Sequence, residues 1–138
     1  MSILFIDPKT GLLLHTKDED KLVSSDGTVI AIVKDSIPRF VDSNLYADNF
    51  GYQWNKWEDI LSDQRSLFDH KYNEIVKRTH FDQLETKDKT VLECGCGGGD
   101  DTEVLLKMPF GEIYSFDLSN AVDRAYKFLG QNNLYEKK

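Results

Sequence analysis

A run of glycines in the second half of the chain constrains the possible folds more than any other feature. Its spacing is Glu-x-Gly-x-Gly-x-Gly, formed by Glu93, Gly95, Gly97 and Gly99. Residues 90–92, Thr-Val-Leu, predict a short buried strand before the run, and residues 100–108 after it predict a helix with acidic residues in its first turn. A strand, a glycine loop and a helix N-terminus in this order form a site where backbone N–H groups can meet a ligand closely.

This spacing differs from those of two common phosphate-binding loops. The dinucleotide fingerprint Gly-x-Gly-x-x-Gly, if it began at Gly95, would require a small residue where this chain has Asp100. If it began at Gly97, it would meet Thr102 instead. A P-loop would end in Gly-Lys followed by Ser or Thr, and the run does not. The alternative to a ligand site is a tight turn, since glycine tolerates positive φ and close approach.

A carboxylate follows the next predicted strand. Residues 112–117 form a strand pattern that ends in Asp117, roughly 20 residues after Gly95, which is the distance expected of a ribose-binding acid. A carboxylate at a strand tip can accept hydrogen bonds from two ribose hydroxyls. The strand, loop, helix and acid together favour a cofactor site over a bare turn.

The loop and this acid resemble motif I and the second-strand acid of the class I S-adenosylmethionine (SAM)-dependent methyltransferases. The resemblance implies that the loop passes under the methionine part of SAM. It also implies that Glu93 orients the loop or meets the amino group of SAM, that Asp117 holds the ribose, and that Leu118 flanks the adenine. The cofactor-binding residues expected from it are Glu93, Gly95, Cys96, Gly97, Gly99, Asp117 and Leu118.

The first 40 residues predict a small β unit in which apolar runs alternate with turns, among them the hairpin pair Asp26-Gly27. The unit ends in Asp-Ser-Ile-Pro-Arg-Phe at residues 35–40 and resembles the zinc-ribbon-like unit that often precedes a methyltransferase domain. The positions of the family's two Cys-x-x-Cys pairs hold Asp7, Thr10, Ser24 and Gly27. We therefore expect no zinc.

Residues 41–54 are a polar and aromatic linker, similar to a segment that folds over the cofactor in such two-part methyltransferases. Tyr46, Tyr52 and Trp54 are therefore candidates for a lid, with packing of the linker onto the core as an equal alternative. Residues 55–85 have helical periodicity. A last helix is predicted after the Asp117 strand. Ser119 is a suitable N-cap for it, and its apolar stripe consists of Val122, Ala125, Tyr126 and Leu129.

No residue is identified as a catalytic base or a metal ligand. The three histidines, at positions 15, 70 and 80, have no acid or nucleophile paired with them in the sequence, and we interpret them as structural or solvent-facing. Cys94 and Cys96 cannot complete a four-ligand zinc site and are interpreted as small residues lining a turn. The sulfonium of SAM is already activated, so a methyltransferase chiefly has to position donor and acceptor.

The charge and hydropathy of the sequence limit the classes of partner that the protein could bind. The net charge of −7 argues against nonspecific attraction to nucleic acid or to an anionic membrane. The longest aliphatic run, residues 29–33, is too short to span a bilayer, and the first residues lack the basic segment and cleavage site of a secretory signal. We therefore expect a cytoplasmic protein with no membrane partner.

These observations predict an α/β protein in three parts: a zinc-ribbon-like β unit without metal ligands (1–40), an aromatic linker (41–54), and a partial methyltransferase domain (55–138). The last part would carry helices and the first β-α-β-α portion of a Rossmann-like sheet. The expected function is that of the N-terminal portion of a SAM-dependent methyltransferase, with an unknown acceptor and no activity by itself. The alternative is a non-catalytic interaction module derived from that family. A central strand with an open edge and an uncovered face predicts self-association, strand swapping or docking of the N-terminal unit.

Overall fold

The computed structural model describes residues 4–41 and 64–131, and the chain divides into two compact units, residues 1–42 and 43–138. Residues 42–63 lie outside the described part of the chain. They include Tyr46, Tyr52 and Trp54 of the predicted lid and the first residues of the predicted helical stretch. The division into 1–40, 41–54 and 55–138 stays a prediction.

The N-terminal unit contains a four-stranded antiparallel sheet in sequential order. Its strands are β1 (His15–Lys17), β2 (Lys21–Val23), β3 (Val29–Lys34) and β4 (Ile37–Arg39). Leu14, Leu22 and Ala31 form the buried core on which this sheet closes. The predicted Asp26-Gly27 hairpin turn lies between β2 and β3, and Gly27 has the positive φ of 86° that such a turn requires.

Local hydrogen bonds stabilise the turn that contains Asp7 and Thr10 and the turn that contains Ser24 and Gly27. The buried Asp7 carboxylate accepts the N–H of Lys9 at 2.9 Å and the hydroxyl of Thr10 at 3.0 Å. The Ser24 hydroxyl donates to the Asp26 carboxylate. Among residues 4–41 and 64–131, no group of three His, Cys, Asp or Glu side chains could hold a metal ion. The unit therefore has a local hydrogen bond at each of these turns.

The start of the N-terminal unit differs from the sequence prediction. The sequence predicts strands at residues 3–6 and 12–15. Over residues 4–14 the structure has an isolated antiparallel bridge between Ile6 and Leu13, and β1 begins at His15. A tight turn, in which the Asp7 carbonyl accepts the N–H of Gly11 at 2.8 Å, separates the two bridge residues.

The second unit has mixed α/β structure, in agreement with the prediction of an α/β protein. Its elements are α1 (Gln64–Thr79), a 3₁₀ helix (Phe81–Gln83), β5 (Thr90–Cys94), α2 (Asp100–Lys107), β6 (Glu112–Phe116) and α3 (Ala121–Gln131). The strands β5 and β6 are parallel and pair in register from Thr90 with Glu112 to Cys94 with Phe116. Parallel neighbours need a crossover connection, and α2 provides it.

Helix α1 packs against α2. The Lys71 ammonium lies 2.8 Å from the Asp101 carboxylate, and the Lys107 ammonium lies 4.0 Å from the centre of the Phe68 ring. The sequence predicts helix as far as residue 85, but α1 ends at Thr79. His80 adopts a left-handed backbone conformation with φ of 55°, which a continuing α-helix does not permit.

One face of the β5–β6 pair is exposed. Side chains alternate along a strand, so Leu92 and Cys94 lie on the same face of β5. Phe116 pairs with Cys94 and therefore lies on that face too. Their exposed fractions are 64% and 52%. In the part of the chain that is described, β5 and β6 pair only with each other. No helix within the described ranges is long and apolar enough to cross a membrane.

Candidate functional site

The glycine loop, residues 95–99, connects β5 to α2 through a path that requires glycine. Gly95, Gly97 and Gly99 have φ values of 84°, 52° and 92°. Residues with a side chain rarely adopt this left-handed conformation, so the backbone itself selects these three glycines. Glycine is favoured at position 99 for a second reason: a Cβ there would lie 3.0 Å from the Cβ of Ala125. The loop can therefore pack directly against α3.

Hydrogen bonds join the glycine loop to the end of β6. The N–H groups of Gly95 and Cys96 both donate to the carbonyl of Phe116, at 2.8 and 3.0 Å. The N–H of Gly97 donates to Oδ2 of Asp117 at 2.9 Å. Because β5 and β6 are parallel, their C-terminal ends lie side by side. The two features singled out in the sequence, the loop and the strand-end acid, are thus in direct contact.

The Asp117 carboxylate has further donors from its own turn. Oδ1 accepts the N–H of Ser119 at 2.7 Å and its hydroxyl at 2.6 Å. Burial raises the pKa of Asp117, but the hydrogen bonds from Ser119 and Gly97 together outweigh burial and lower the pKa below its ordinary value of 3.8. The side chain is therefore an anion at neutral pH and can only accept hydrogen bonds.

Ser119 also has a structural role. Its hydroxyl oxygen accepts the N–H of Ala121, the first residue of α3, at 3.2 Å. This bond satisfies one of the free donors at the start of the helix. The sequence prediction of Ser119 as a cap for the last helix is confirmed. The same residue thus fixes both the acid and the helix that follows it.

Glu93 connects three elements beneath the loop. Its Oε2 accepts the hydroxyl of Thr102 in α2 at 2.7 Å and the hydroxyl of Ser115 in β6 at 2.6 Å. Glu93 itself belongs to β5 and is half-buried. Charge-assisted bonds of this length are among the stronger ones in proteins. These contacts link β5 to α2 and β6, and the role of Glu93 in orienting the loop stays a prediction.

The two cysteines differ in exposure. Cys94 is exposed at the end of β5, whereas Cys96 is buried within the loop. Burial, together with the negative charges of Glu93 and Asp117, raises the pKa of Cys96 to about 12. Because the thiolate is the nucleophilic form, Cys96 is inert at neutral pH. The buried thiol of Cys96 lies in the turn, as the sequence predicts, whereas Cys94 is the last residue of β5.

Arg124 is a residue of this site that the sequence does not single out. It lies in α3, only 6% exposed, and its Nη1 donates to the carbonyl of Gly98 at 2.8 Å. The same nitrogen lies 3.4 Å from Oδ2 of Asp100, the first residue of α2. The predicted apolar stripe of α3 is corrected at Tyr126, which is exposed. Arg124 is buried against the loop, where the missing side chain of Gly98 leaves space for its guanidinium.

The glycine loop is bordered by acids. Glu93, Asp100 and Asp117 all contact it or adjoin it, and Arg124 is paired with Asp100. Like charges repel more strongly at a partly buried site than in water. These carboxylates would attract a positively charged group more than a phosphate.

Comparison of the chain with protein-family models, with curated proteins and with solved structures gave no match. The structure joins five of the seven predicted cofactor residues through the loop backbone and its hydrogen bond to the acid: Gly95, Cys96, Gly97, Gly99 and Asp117. Glu93 lies in β5 just before the loop and bonds to Thr102 and Ser115. Leu118 follows directly in the chain and is exposed. The histidines at positions 15, 70 and 80 are exposed as well.

Proposed function

We propose that the glycine loop and Asp117 form the SAM side of a methyltransferase active site, and that this chain is the N-terminal portion of such an enzyme. The observation that carries this assignment is the 2.9 Å hydrogen bond from the Gly97 N–H to Asp117. It holds a glycine loop and a ribose-type acceptor at the adjacent ends of two parallel strands. The methyl acceptor is unknown.

The strand arrangement supports a Rossmann-like sheet. In open α/β sheets, ligands bind beyond the carboxyl ends of the strands, in the crevice formed by the loops. The segment β5-α2-β6 is one parallel unit of this kind, and both candidate features follow the C-terminal ends of its strands. A Rossmann-like sheet extends this parallel pair by further strands on either edge.

The charge of the site favours SAM over a dinucleotide. SAM carries a positive sulfonium and an amino group, and no phosphate. The acids bordering the loop would attract these groups and would repel the pyrophosphate of a dinucleotide. The spacing of the glycines also argues against a dinucleotide, since Asp100 stands where the dinucleotide fingerprint has its last glycine.

Each residue then has a distinct role. Asp117 accepts hydrogen bonds from the ribose hydroxyls, Glu93 holds the loop in position, and the exposed Leu118 is available to flank the adenine. Bound SAM would supply an activated methyl group. The chain would contribute the orientation of that group. We assign no catalytic base and expect no methyl transfer by this chain alone.

Titration of the 138-residue chain with S-adenosylhomocysteine, followed by heteronuclear NMR, tests this function. Amide shifts should concentrate at residues 95–100 and at Asp117. Asp117→Asn should weaken binding roughly tenfold or more, because hydrogen bonds to a charged acceptor contribute about 1.5–3 kcal/mol each. Asp82→Asn, an equivalent change in the exposed 3₁₀ helix, should leave binding unchanged. Absence of shifts at millimolar ligand would overturn the assignment.

A non-catalytic interaction module is the second candidate function. The observation that favours it is the exposed apolar face of β5–β6, with Leu92 and Phe116 on the same side. Apolar faces and open strand edges of this kind pair readily with added strands. S-adenosylhomocysteine binding separates the two functions, because a module of this type needs no cofactor.

A further inference from the structure

Arg124 contacts the glycine loop at a point that the cofactor residues leave unsupported. Its Nη1 donates to the carbonyl of Gly98 at 2.8 Å and lies 3.4 Å from the Asp100 carboxylate. One nitrogen of α3 therefore links the loop to the first residue of α2. Asp117 holds the loop at the neighbouring N–H of Gly97. The loop is thus held at two neighbouring residues: the Asp117 carboxylate accepts from Gly97, and the Arg124 guanidinium donates to Gly98.

Gly98 lacks a side chain for a different reason from its neighbours. Gly97 and Gly99 have positive φ, whereas Gly98 is not among the positive-φ glycines. Its backbone would therefore accept a side chain. A Cβ at Gly98 would, however, overlap Nη1 of Arg124 and lie 2.9 Å from its Cζ. The missing side chain leaves the space that the guanidinium occupies, so the two residues fit each other.

Packing alone would not select an arginine at this position. Arg124 is almost fully buried, and its Nε has no hydrogen-bond partner among the described residues. Burying such a donor unpaired is costly, and burying a cation is favourable only with good partners. The contacts that offset this cost are the ones to the loop and to Asp100. The Phe128 ring, 5.5 Å from the guanidinium carbon, adds a weak cation–π contact.

We infer that Arg124 is a positioning residue that, by filling the space left by Gly98, holds the glycine loop in the conformation that receives the cofactor. For the identity of the ligand this inference rests on the proposed function. The positioning of the loop by Arg124 is independent of it. Removal of the guanidinium should let the loop sample other conformations, and the fraction of chains ready to bind would fall.

A double-mutant cycle between positions 98 and 124 tests the inference without ligand. The variants are Gly98→Ala, Arg124→Ala and the double variant. Amide exchange at Gly97 and Gly99 should become faster in both single variants, while the β5 and β6 amides keep their protection. In the Arg124→Ala background, Gly98→Ala should add little, because the overlapping group is gone. Additive effects at Gly97 and Gly99 would overturn the inference.

Two further variants keep the test decisive. Lys127→Ala removes an exposed cation from the same helix and should leave exchange in the loop unchanged. Arg124→Lys keeps the charge and most of the stem, and should keep the fold if Arg124→Ala does not. It should still speed exchange in the loop, because a single ammonium cannot reproduce the guanidinium geometry. Loop exchange like that of the wild type in Arg124→Lys and Arg124→Ala would overturn the inference.

Ligand binding then provides a separate readout. The dissociation constant of S-adenosylhomocysteine should rise roughly tenfold in Arg124→Ala, since apparent affinity falls with the population of the competent loop. The Lys127→Ala chain should bind as the wild type does. If the wild-type chain does not bind S-adenosylhomocysteine, the proposed function fails, and the exchange cycle still decides the role of Arg124.

Discussion

The N–H of Gly97 donates to the Asp117 carboxylate across 2.9 Å, so the glycine loop and the end of β6 form one hydrogen-bonded unit. The loop is therefore not a simple connection between β5 and α2. The loop is bonded to an acid twenty positions further along the chain, and hydrogen bonds from Ser119 lower the pKa of that acid. Several properties of the molecule should follow from these hydrogen bonds.

The first prediction is that Ser119→Ala raises the pKa of Asp117. Burial raises this pKa, and the hydroxyl and N–H of Ser119 with the N–H of Gly97 lower it by more. Because the folded pKa lies below the unfolded value, Asp117 stabilises the fold above the unfolded pKa of about 3.9. That stabilisation is lost as the pH falls through the folded pKa. Carbon NMR of the Asp117 carboxyl group between pH 7 and pH 2 measures the midpoint of its titration in the wild type and in Ser119→Ala.

Ser115→Ala is the matched control for this titration. The Ser115 hydroxyl bonds to Glu93 and makes no hydrogen bond to Asp117. Its removal should leave the Asp117 midpoint close to that of the wild type. Equal shifts in Ser119→Ala and Ser115→Ala would show that the local bond does not control the pKa.

The second prediction compares two glycines of the same loop. Gly95→Ala and Gly99→Ala both place a side chain at positive φ, which costs about 1–2 kcal/mol. Gly95 has open space around its missing Cβ, whereas a Cβ at Gly99 would lie 3.0 Å from the Cβ of Ala125. Gly99→Ala should therefore lose at least about 1 kcal/mol more unfolding free energy than Gly95→Ala. Urea denaturation measures both, and equal losses would contradict the contact with α3.

The third prediction concerns thiol chemistry. Burial and the nearby carboxylates raise the pKa of Cys96 to about 12, and Cys94 is exposed. At pH 8 a maleimide should modify Cys94 and leave Cys96 almost unmodified, because the reactive thiolate of Cys96 is scarcely populated. Mass spectrometry of the native chain and of Cys94→Ala measures this. Rapid labelling of the Cys94→Ala chain would show that Cys96 is accessible and ionised.

The sequence predicts the candidate site more completely than the packing around it. The helix predicted at residues 100–108, the strand that leads to Asp117 and the Ser119 cap all depend on local signals. The structure has the helix at Asp100–Lys107, the strand at Glu112–Phe116 and the cap at Ser119. Glycine spacing and capping chemistry act over a few residues, so a single sequence contains them.

Arg124 shows what such local signals miss. A cation next to the apolar stripe of a predicted helix is normally solvent-exposed, and its partner at Gly98 lies twenty-six positions earlier in the chain. Only tertiary packing brings the two together. The wrong prediction that Tyr126 belongs to the buried stripe has the same cause. The buried side of α3 is set by tertiary packing of the loop against Ala125, which local signals do not contain.

The last prediction is that the exposed face of β5–β6 mediates self-association. Leu92 is 64% exposed on a strand that, within the described ranges, pairs only with β6. Burying a leucine side chain contributes about 1.5–3 kcal/mol, and a charge on a strand face or edge opposes pairing. The wild-type chain should therefore sediment with a mass above 15.9 kDa that rises with concentration, and Leu92→Lys should shift it towards the monomer.

Leu12→Lys provides the control, because Leu12 is also an exposed leucine but lies in the N-terminal unit. The same charge placed there should leave the sedimentation of the chain unchanged if the β5–β6 face is the contact. Equal dissociation by both variants would show that the β5–β6 face is not the specific contact. A wild-type chain that stays at 15.9 kDa at every concentration would show that the apolar face does not pair with a second copy.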